Sequence, residues 1–320
     1  MDIITLSNAH LTLRILTRGA ALIGVRLNGL QRNLVLAFAD PADHLNIPIY
    51  AGAIVGPVAN RVAAGRVQID GQSYQMARNE QARTALHAGP EGLHAYEWKR
   101  AQQTDSAVHL IAHMPHGAAG LPGEREISAT YCLKDSGFSL EITAKTDRAT
   151  PINIAAHPYW HLDDTPTIAM HKLAVKAARY TPTDRYNIPT GATASASGTP
   201  YDFQSSRPVP LTPDIDFNAC LADAPHVDPT SAARLIGSDG LCLDLATNAP
   251  GLQVYNGAHM PTLPSVREGG KDLWPYAGIA LEPQHWPDAP NHPHFPQITL
   301  RPGDNYRQRS EYRFSFAHMP

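Results

Sequence analysis

Cysteine is scarce in this 320-residue chain: three residues, Cys132, Cys220 and Cys242, widely spaced and odd in number. No CxxC or other zinc-type pair occurs, which leaves no basis for a disulfide framework or a structural zinc site and makes buried free thiols the expectation. Charge is also thin. Asp, Glu, Lys and Arg make up 17% of the residues, against the usual quarter or so, and the formal net charge is −3. A partner with a polyanionic surface, whether nucleic acid or an anionic membrane, favours a basic face that this balance does not supply. Long apolar runs are missing as well, so no bilayer-crossing helix is expected. The N-terminal MDIITLSNAHLTLRIL has no basic stretch followed by an apolar core, so no signal peptide is read there, and a reducing cytoplasm is the expected location. Linkers, charge blocks, low-complexity tracts and internal repeats are absent, so residues 1–320 are expected to form one domain.

What the chain does have is turns and alternation. The 28 prolines and 23 glycines place proline well above its average of about 5%, and 43% of the residues are hydrophobic, which describes a folded, turn-rich chain. Period-2 patterning recurs. Leu11, Leu13 and Ile15 share one face of 10–16. In 66–74, Val67 and Ile69 point one way before Asp70-Gly71, a strong tight-turn signal. Similar runs occur at 107–113, 127–133, 138–144, 241–246, 252–256 and 311–316, separated by turn clusters such as 116–124 and 190–200. Only 41–49 and 214–222 have room for a turn or two of helix. The fold class expected is therefore all-β, a large antiparallel β-sandwich with its ligand site on loops and strand ends over one concave face.

Sixteen histidines are many, but most need no special role. His10, His109, His113, His116, His171, His226 and His318 fall in turns or polar strand positions, where a solvated or locally hydrogen-bonded ring is expected. HExxH and other tight metal spacings are absent, so no catalytic metal is expected. Four stretches differ from the rest. GAIVGPVANRVAAGRV (52–67) encloses Asn60-Arg61 among small residues, and an arginine there either braces a loop or offers a fork of donors to a ligand. LHAGPEGLHAYEW (86–98) sets His87 before a Gly/Pro turn, and INIAAHPYWHL (152–162) sets His157 among apolar and aromatic neighbours. LEPQHWPDAPNHPHFP (281–296) carries five prolines, which reads as an irregular loop leaving an apolar strand just as Glu282 is reached. Ile279, Ala280 and Leu281 make that strand a buried one, and a carboxyl carried into it must shift its pKa or find partners. A Glu and a His tuned in complementary ways are what general acid–base chemistry requires.

These stretches, together with TRGAALIGVRLNG (17–29), NEQARTALHAGPEG (79–92), YTPTDRYNIPTG (180–191), TPYDF (199–203), IDFNACL (215–221), APGLQVYNG (249–257) and LRPGDNYRQRSEYRFS (300–315), resemble, almost end to end and in order, the aldose 1-epimerase (galactose mutarotase) family. The resemblance implies the galactose mutarotase-like supersandwich and a cofactor-free, metal-free interconversion of the α and β anomers of a free aldose. Glu282 then takes the role of general base at the C1 hydroxyl and His157 that of general acid at the ring oxygen. Asn60, Arg61, His87, Asp216 and Gln253 match positions that bind sugar hydroxyls or orient the pair, and Tyr159 or Trp160 offers an apolar surface to a sugar face. The implied partner is a monosaccharide, the chain being a monomer or homodimer. The sequence departs from the family pattern at Pro57, Ala88, Ala156, Pro158, Trp160, His161 and Phe217, and these changes are expected to alter sugar-facing or supporting surroundings. Competing readings are an epimerase of a modified or phosphorylated sugar, a glycoside hydrolase using Asp216 with Glu282, and a non-catalytic carbohydrate-binding protein.

Overall fold

A computed structural model describes residues 1–317; His318 lies outside them. A nine-stranded sheet runs in the order Arg207–Pro208, Lys172–Val175, Thr230–Ile236, Leu241–Thr247, Tyr306–Phe316, Gly137–Thr146, Arg125–Lys134, Ala107–Met114 and Lys99–Gln103. A six-stranded sheet runs Tyr159–Trp160, Ile279–Gln284, Gly251–Tyr255, Asp216–Cys220, Arg179–Thr181 and Ala194–Ser195, and Ile3–Ser7, Leu11–Leu16 and Ala21–Leu27 form a third. Neighbouring strands in all three pair antiparallel. The alternating runs read from the sequence all lie in strands. Asp70 and Gly71, at φ of 49° and 80°, close the hairpin between Arg66–Ile69 and Gln72–Gln75 in the left-handed conformations such a two-residue turn demands.

The main core cluster sits between the sheets, holding Leu11, Leu13 and Ile15 of the third sheet, Ile127, Ala129, Leu243 and Leu245 of the nine-stranded sheet, and Leu252, Val254, Ile279 and Leu281 of the six-stranded one, with smaller clusters around Phe38, Ile23 and Val55 beside it. Trp160 ties the two largest sheets together, its ring 5.4 Å from Tyr312 and 6.0 Å from Phe314.

Two expectations need correcting. Of the two stretches with room for helix, 41–49 holds the four-residue helix Asp43–Asn46, but 214–222 holds the strand Asp216–Cys220. That strand is paired on both sides, and its period of two sends Asp216 and Asn218 to one face and Phe217 and Ala219 to the core, so tertiary pairing decides the conformation. The proline-rich stretch does not leave the strand at Glu282. The strand Ile279–Gln284 continues through Pro283, which pairs with Leu252. Proline is tolerated because Tyr159–Trp160, the neighbour on the other side, pairs only with Ala280 and Ile279, so the strand has a free edge at Pro283.

Candidate active site

The alternation of the six-stranded sheet builds the floor of the site. Register places Gln253 opposite both Asn218 and Glu282, and Tyr255 opposite both Asp216 and Ala280, with Tyr159 next to Ala280. One face of the sheet therefore carries Tyr159, Asp216, Asn218, Gln253, Tyr255, Glu282 and Gln284, while Trp160, Phe217, Leu252, Val254, Ile279 and Leu281 turn to the core. Over this floor lies a cavity of about 220 Å³, and all seven residues singled out in the sequence line it: Asn60, Arg61, His87, His157, Asp216, Gln253 and Glu282. Tyr159 lines it too, whereas Trp160 is fully buried in the core.

The walls come from loops held in strained conformations. Asn60 and His87 both have positive φ, 63° and 52°, and they brace each other: the Asn60 amide donates to His87 Nδ1 at 3.1 Å, and the His87 amide donates to the Asn60 carbonyl at 3.1 Å. Because Nδ1 accepts, the neutral His87 ring carries its proton on Nε2. Burial, followed by the neighbouring His157 and Arg61, holds His87 well below the ordinary histidine value, so the ring stays neutral. His157 is anchored through its backbone, its amide donating to the Ala53 carbonyl and its carbonyl accepting from the Gly52 amide, both at 2.9 Å. Gly52 permits that approach: at φ 75°, a Cβ there would stand 2.2 Å from the Leu22 carbonyl oxygen.

At the centre, His157 Nε2 lies 3.4 Å from Glu282 Oε1, both side chains almost entirely buried. Burial, reinforced by the charge of Asp216 and opposed by Arg61, raises Glu282 well above the ordinary carboxylate value. Burial lowers His157 to about 4. Asp216 is held as an acceptor, Oδ1 receiving Gln253 Nε2 at 2.5 Å and Oδ2 receiving Arg61 Nη1 at 3.3 Å. The rest of the Arg61 fork donates to both oxygens of Glu80, at 2.8 and 2.9 Å.

Glu80, Tyr50, Tyr255 and His259 line the cavity without having been read from the sequence. Tyr50 packs edge-on to His87 at 4.7 Å, and the Tyr255 hydroxyl accepts the His259 amide at 2.7 Å. None of the departures from the family pattern at Pro57, Ala88, Ala156, Pro158, Trp160, His161 and Phe217 lines it. Phe217 illustrates the reason: the residue after Asp216 points to the opposite face, where its ring stacks near Phe203. The sugar-facing half of that expectation is corrected accordingly, while Ala88, Ala156 and Pro158 stand next in the chain to His87 and His157 as supporting positions.

Two sets of buried side chains bring metal-type donor atoms within 4.8 Å of one another: His87, His157 and Glu282, and His161, Asp163 and His171. In each, one imidazole is already committed. His87 Nδ1 accepts the Asn60 amide, and His171 Nε2 accepts the Leu162 amide at 2.8 Å, so the other nitrogen of each neutral ring bears a proton. Two ligands remain in each set, fewer than the three that a catalytic zinc site supplies. His171, expected in a turn or polar position, is fully buried, with Nδ1 3.7 Å from Asp163. Burial pushes the Asp163 carboxyl up, but the surrounding donors, His161, Thr165 and the Ser238 amide among them, outweigh it and hold the group well below the usual range. Among the described residues no helix is long and apolar enough to cross a membrane.

Comparison with known proteins agrees with this geometry. The family model described as aldose 1-epimerase matches residues 2–313. Galactose mutarotase of Rattus norvegicus is 33% identical over 300 residues, 90% of this chain and 86% of its own. Aldose 1-epimerase of Escherichia coli is 32% identical over 325 residues, 96% of this chain and 93% of its own. Among solved structures, an aldose epimerase homologue from C. elegans superposes with a TM-score of 0.92 at 29% identity, over 99% of both chains. Galactose 1-epimerase from Lactobacillus acidophilus does so at 0.85 and 27%, over 99% and 95%. With residues 2–313 matched by the family model and relatives above 30% identical over 90% or more of its length, the chain belongs to the aldose 1-epimerase family.

Proposed function

We propose that the cavity binds a free aldose and interconverts its anomers, with Glu282 as general base and His157 as general acid. The observation that carries this is the buried Glu282–His157 pair, 3.4 Å apart, facing a cavity of about 220 Å³. That volume falls below the roughly 300–1,000 Å³ of drug-sized sites and suits a single sugar ring. Opening a hemiacetal removes one proton from the C1 hydroxyl and delivers one to the ring oxygen. Burial rests the pair's one proton on Glu282, so the reacting form is the one in which that proton has passed to His157; Glu282 then takes the first as His157 gives the second, the C1–O5 bond breaks, and an aldehyde forms. Rotation about C1–C2 presents the other carbonyl face, and ring closure reverses both transfers. Proton count is conserved within the pair, so neither a covalent nucleophile nor a cofactor has a task in this scheme. The sugar hydroxyls are met by His87 Nε2–H, by Asn60 and Arg61 as donors, and by Asp216 and Gln253, and Tyr159 offers an aromatic wall.

A hydrolase reading is disfavoured because His157, held against Glu282 at the centre of the cavity, has no part in a two-carboxylate scheme. A phosphorylated substrate is disfavoured because the cavity's one arginine is already engaged by two carboxylates. Residues 1–320 are proposed to act as a single domain, and because one chain supplies every lining residue, a monomer or a homodimer carries a complete site. The free cysteines Cys132, Cys220 and Cys242 support a reducing, cytoplasmic location.

Polarimetry of freshly dissolved α-D-glucose and α-D-galactose tests the reading. The native protein accelerates approach to rotational equilibrium, and Glu282→Gln and His157→Asn each lose about 10²–10⁴-fold. No acceleration over buffer, or an unchanged rate in Glu282→Gln, contradicts it. Release of nitrophenol from aryl glycosides would point to the hydrolase instead.

A further inference from the structure

The charged side chains lining the cavity are one cation, Arg61, and three carboxyls, Glu80, Asp216 and Glu282. How the cation is divided among the three decides how strongly it pulls on the Glu282 proton. Glu80 receives the side of the fork formed by Nε and Nη2, in a two-point contact at 2.8 and 2.9 Å, while Asp216 receives Nη1 at a longer 3.3 Å. Two parallel charge-assisted bonds fix both the position and the plane of a guanidinium. Thr84 Oγ1 donates to Glu80 Oε2 at 2.7 Å and completes the hold. Burial raises the Glu80 carboxyl, but the Arg61 fork and the Thr84 hydroxyl outweigh it and keep the group below its ordinary value, an acceptor for the fork.

The backbone is shaped to present this carboxylate. Glu80 and Thr84 pair as a bridge, the Arg83 amide donates to the Glu80 carbonyl at 2.9 Å, and Gln81 and Ala82 between them both adopt left-handed conformations, φ 49° and 54°. A turn of this kind normally uses Asn-Gly or Asp-Gly. The acid–base scheme gives Glu80 no contact with reacting atoms.

We propose that Glu80 is a positioning residue that holds the Arg61 charge away from Glu282, so that the Glu282–His157 pair keeps the proton it shares. The inference rests on the acid–base reading given above. The titratable and charged groups around Glu282 are His157, His87, Tyr159, Asp216 and Arg61, and of the charged ones Asp216 favours the protonated form of Glu282 and Arg61 opposes it. Without the Glu80 carboxylate the fork turns its two-point face onto Asp216. Asp216 is then neutralised and Arg61 carries a charge that Glu80 no longer balances. Both changes release the Glu282 proton more readily.

The test is the pH dependence of kcat/KM, measured by polarimetry on native protein, Glu80→Gln, Glu80→Asp and the double variant Glu80→Gln/Arg61→Met, with kcat and KM separated. In Glu80→Gln the alkaline limb moves to lower pH by about half a unit to one unit, with kcat on that side falling several-fold. Glu80→Asp keeps the charge, so its limb stays in place while KM rises as Arg61 shifts. Removing the cation as well restores the limb in the double variant to the native position or above it. If Glu80→Gln fails to fold, the double variant, with Asp216 still held by Gln253, carries the test alone, and a limb below the native one overturns the inference. A Glu80→Gln protein whose rate falls equally at every pH, its limb unmoved, makes Glu80 plain scaffolding. Native protein without mutarotation instead defeats the acid–base reading itself, which keeps the two failures apart.

Discussion

Burial sends the two members of the proposed catalytic pair in opposite directions, Glu282 up and His157 down to about 4, and this gives the pair a wide range over which it holds one proton between them. The two steps belong to the pair and not to either residue. Below the lower step both groups are protonated and no base remains; above the upper step both are bare and no acid remains. The expected kcat/KM profile is therefore a bell with an acid limb near pH 4, set by the value to which burial takes His157, and an alkaline limb displaced well above the ordinary carboxylate value. Mutarotation rates measured across pH, with the buffer-catalysed rate subtracted, check this. An acid limb near the ordinary histidine value of about 6.5 would mean that the ring is hydrated in the working enzyme.

At the scale of elements, the strand Ile279–Gln284 aims Glu282, and its proline is part of the aim. Pro283 is buried, pairs with Leu252, and its carbonyl accepts Gln308 Nε2 at 2.5 Å, which ties the residue after the base to the nine-stranded sheet. Pro283→Gly keeps that carbonyl but frees the chain. It is expected to cost about 1 kcal/mol through the unfolded state and to lower kcat roughly ten-fold or more, since small misplacements of a catalytic group are amplified in the rate. Melting curves beside polarimetry separate the two effects, and losses that match would make Pro283 a structural brace only. The sequence announced this strand through Ile279, Ala280 and Leu281, and the six alternating runs announced five strands of the nine-stranded sheet but only Gly251–Tyr255 of the six-stranded one. It hid the strand's continuation through Pro283, because whether a proline is tolerated depends on which edge is free, and that is settled by a neighbour about 120 residues earlier in the chain, Tyr159–Trp160. Asp216–Cys220 was obscured for a related reason: five residues are too few for local periodicity to outweigh what pairing on both sides imposes. The seven site residues were legible because they sit in family-like stretches. Tyr50 and His259 lie outside those stretches, and Glu80 and Tyr255 lie inside two of them with nothing local to mark them, since their place on the cavity wall follows from turns and register.

At the scale of the whole molecule, the site is a seam between layers. Its floor is one face of the six-stranded sheet, and the other face of the same sheet is core, so the stiffness of the floor depends on how that core is packed. Trp160 is the clearest link: its neighbour Tyr159 lines the cavity, while Trp160 itself lodges against Tyr312 and Phe314 of the nine-stranded sheet. Trp160→Ala is expected to cost about 3–5 kcal/mol by leaving a cavity between the sheets, equivalent to roughly 4–7 °C in melting temperature for a chain of this size. Because the main core cluster draws on all three sheets, the native protein should unfold in a single calorimetric transition, and the variant should shift that whole transition without splitting it. Two native transitions, only one of which moves in Trp160→Ala, would show that the sheets are independently stable and that the single-domain reading is wrong. One transition that moves as a whole, with mutarotation falling as Tyr159 loses its backing, ties the stability of the sandwich to the geometry of the sugar site.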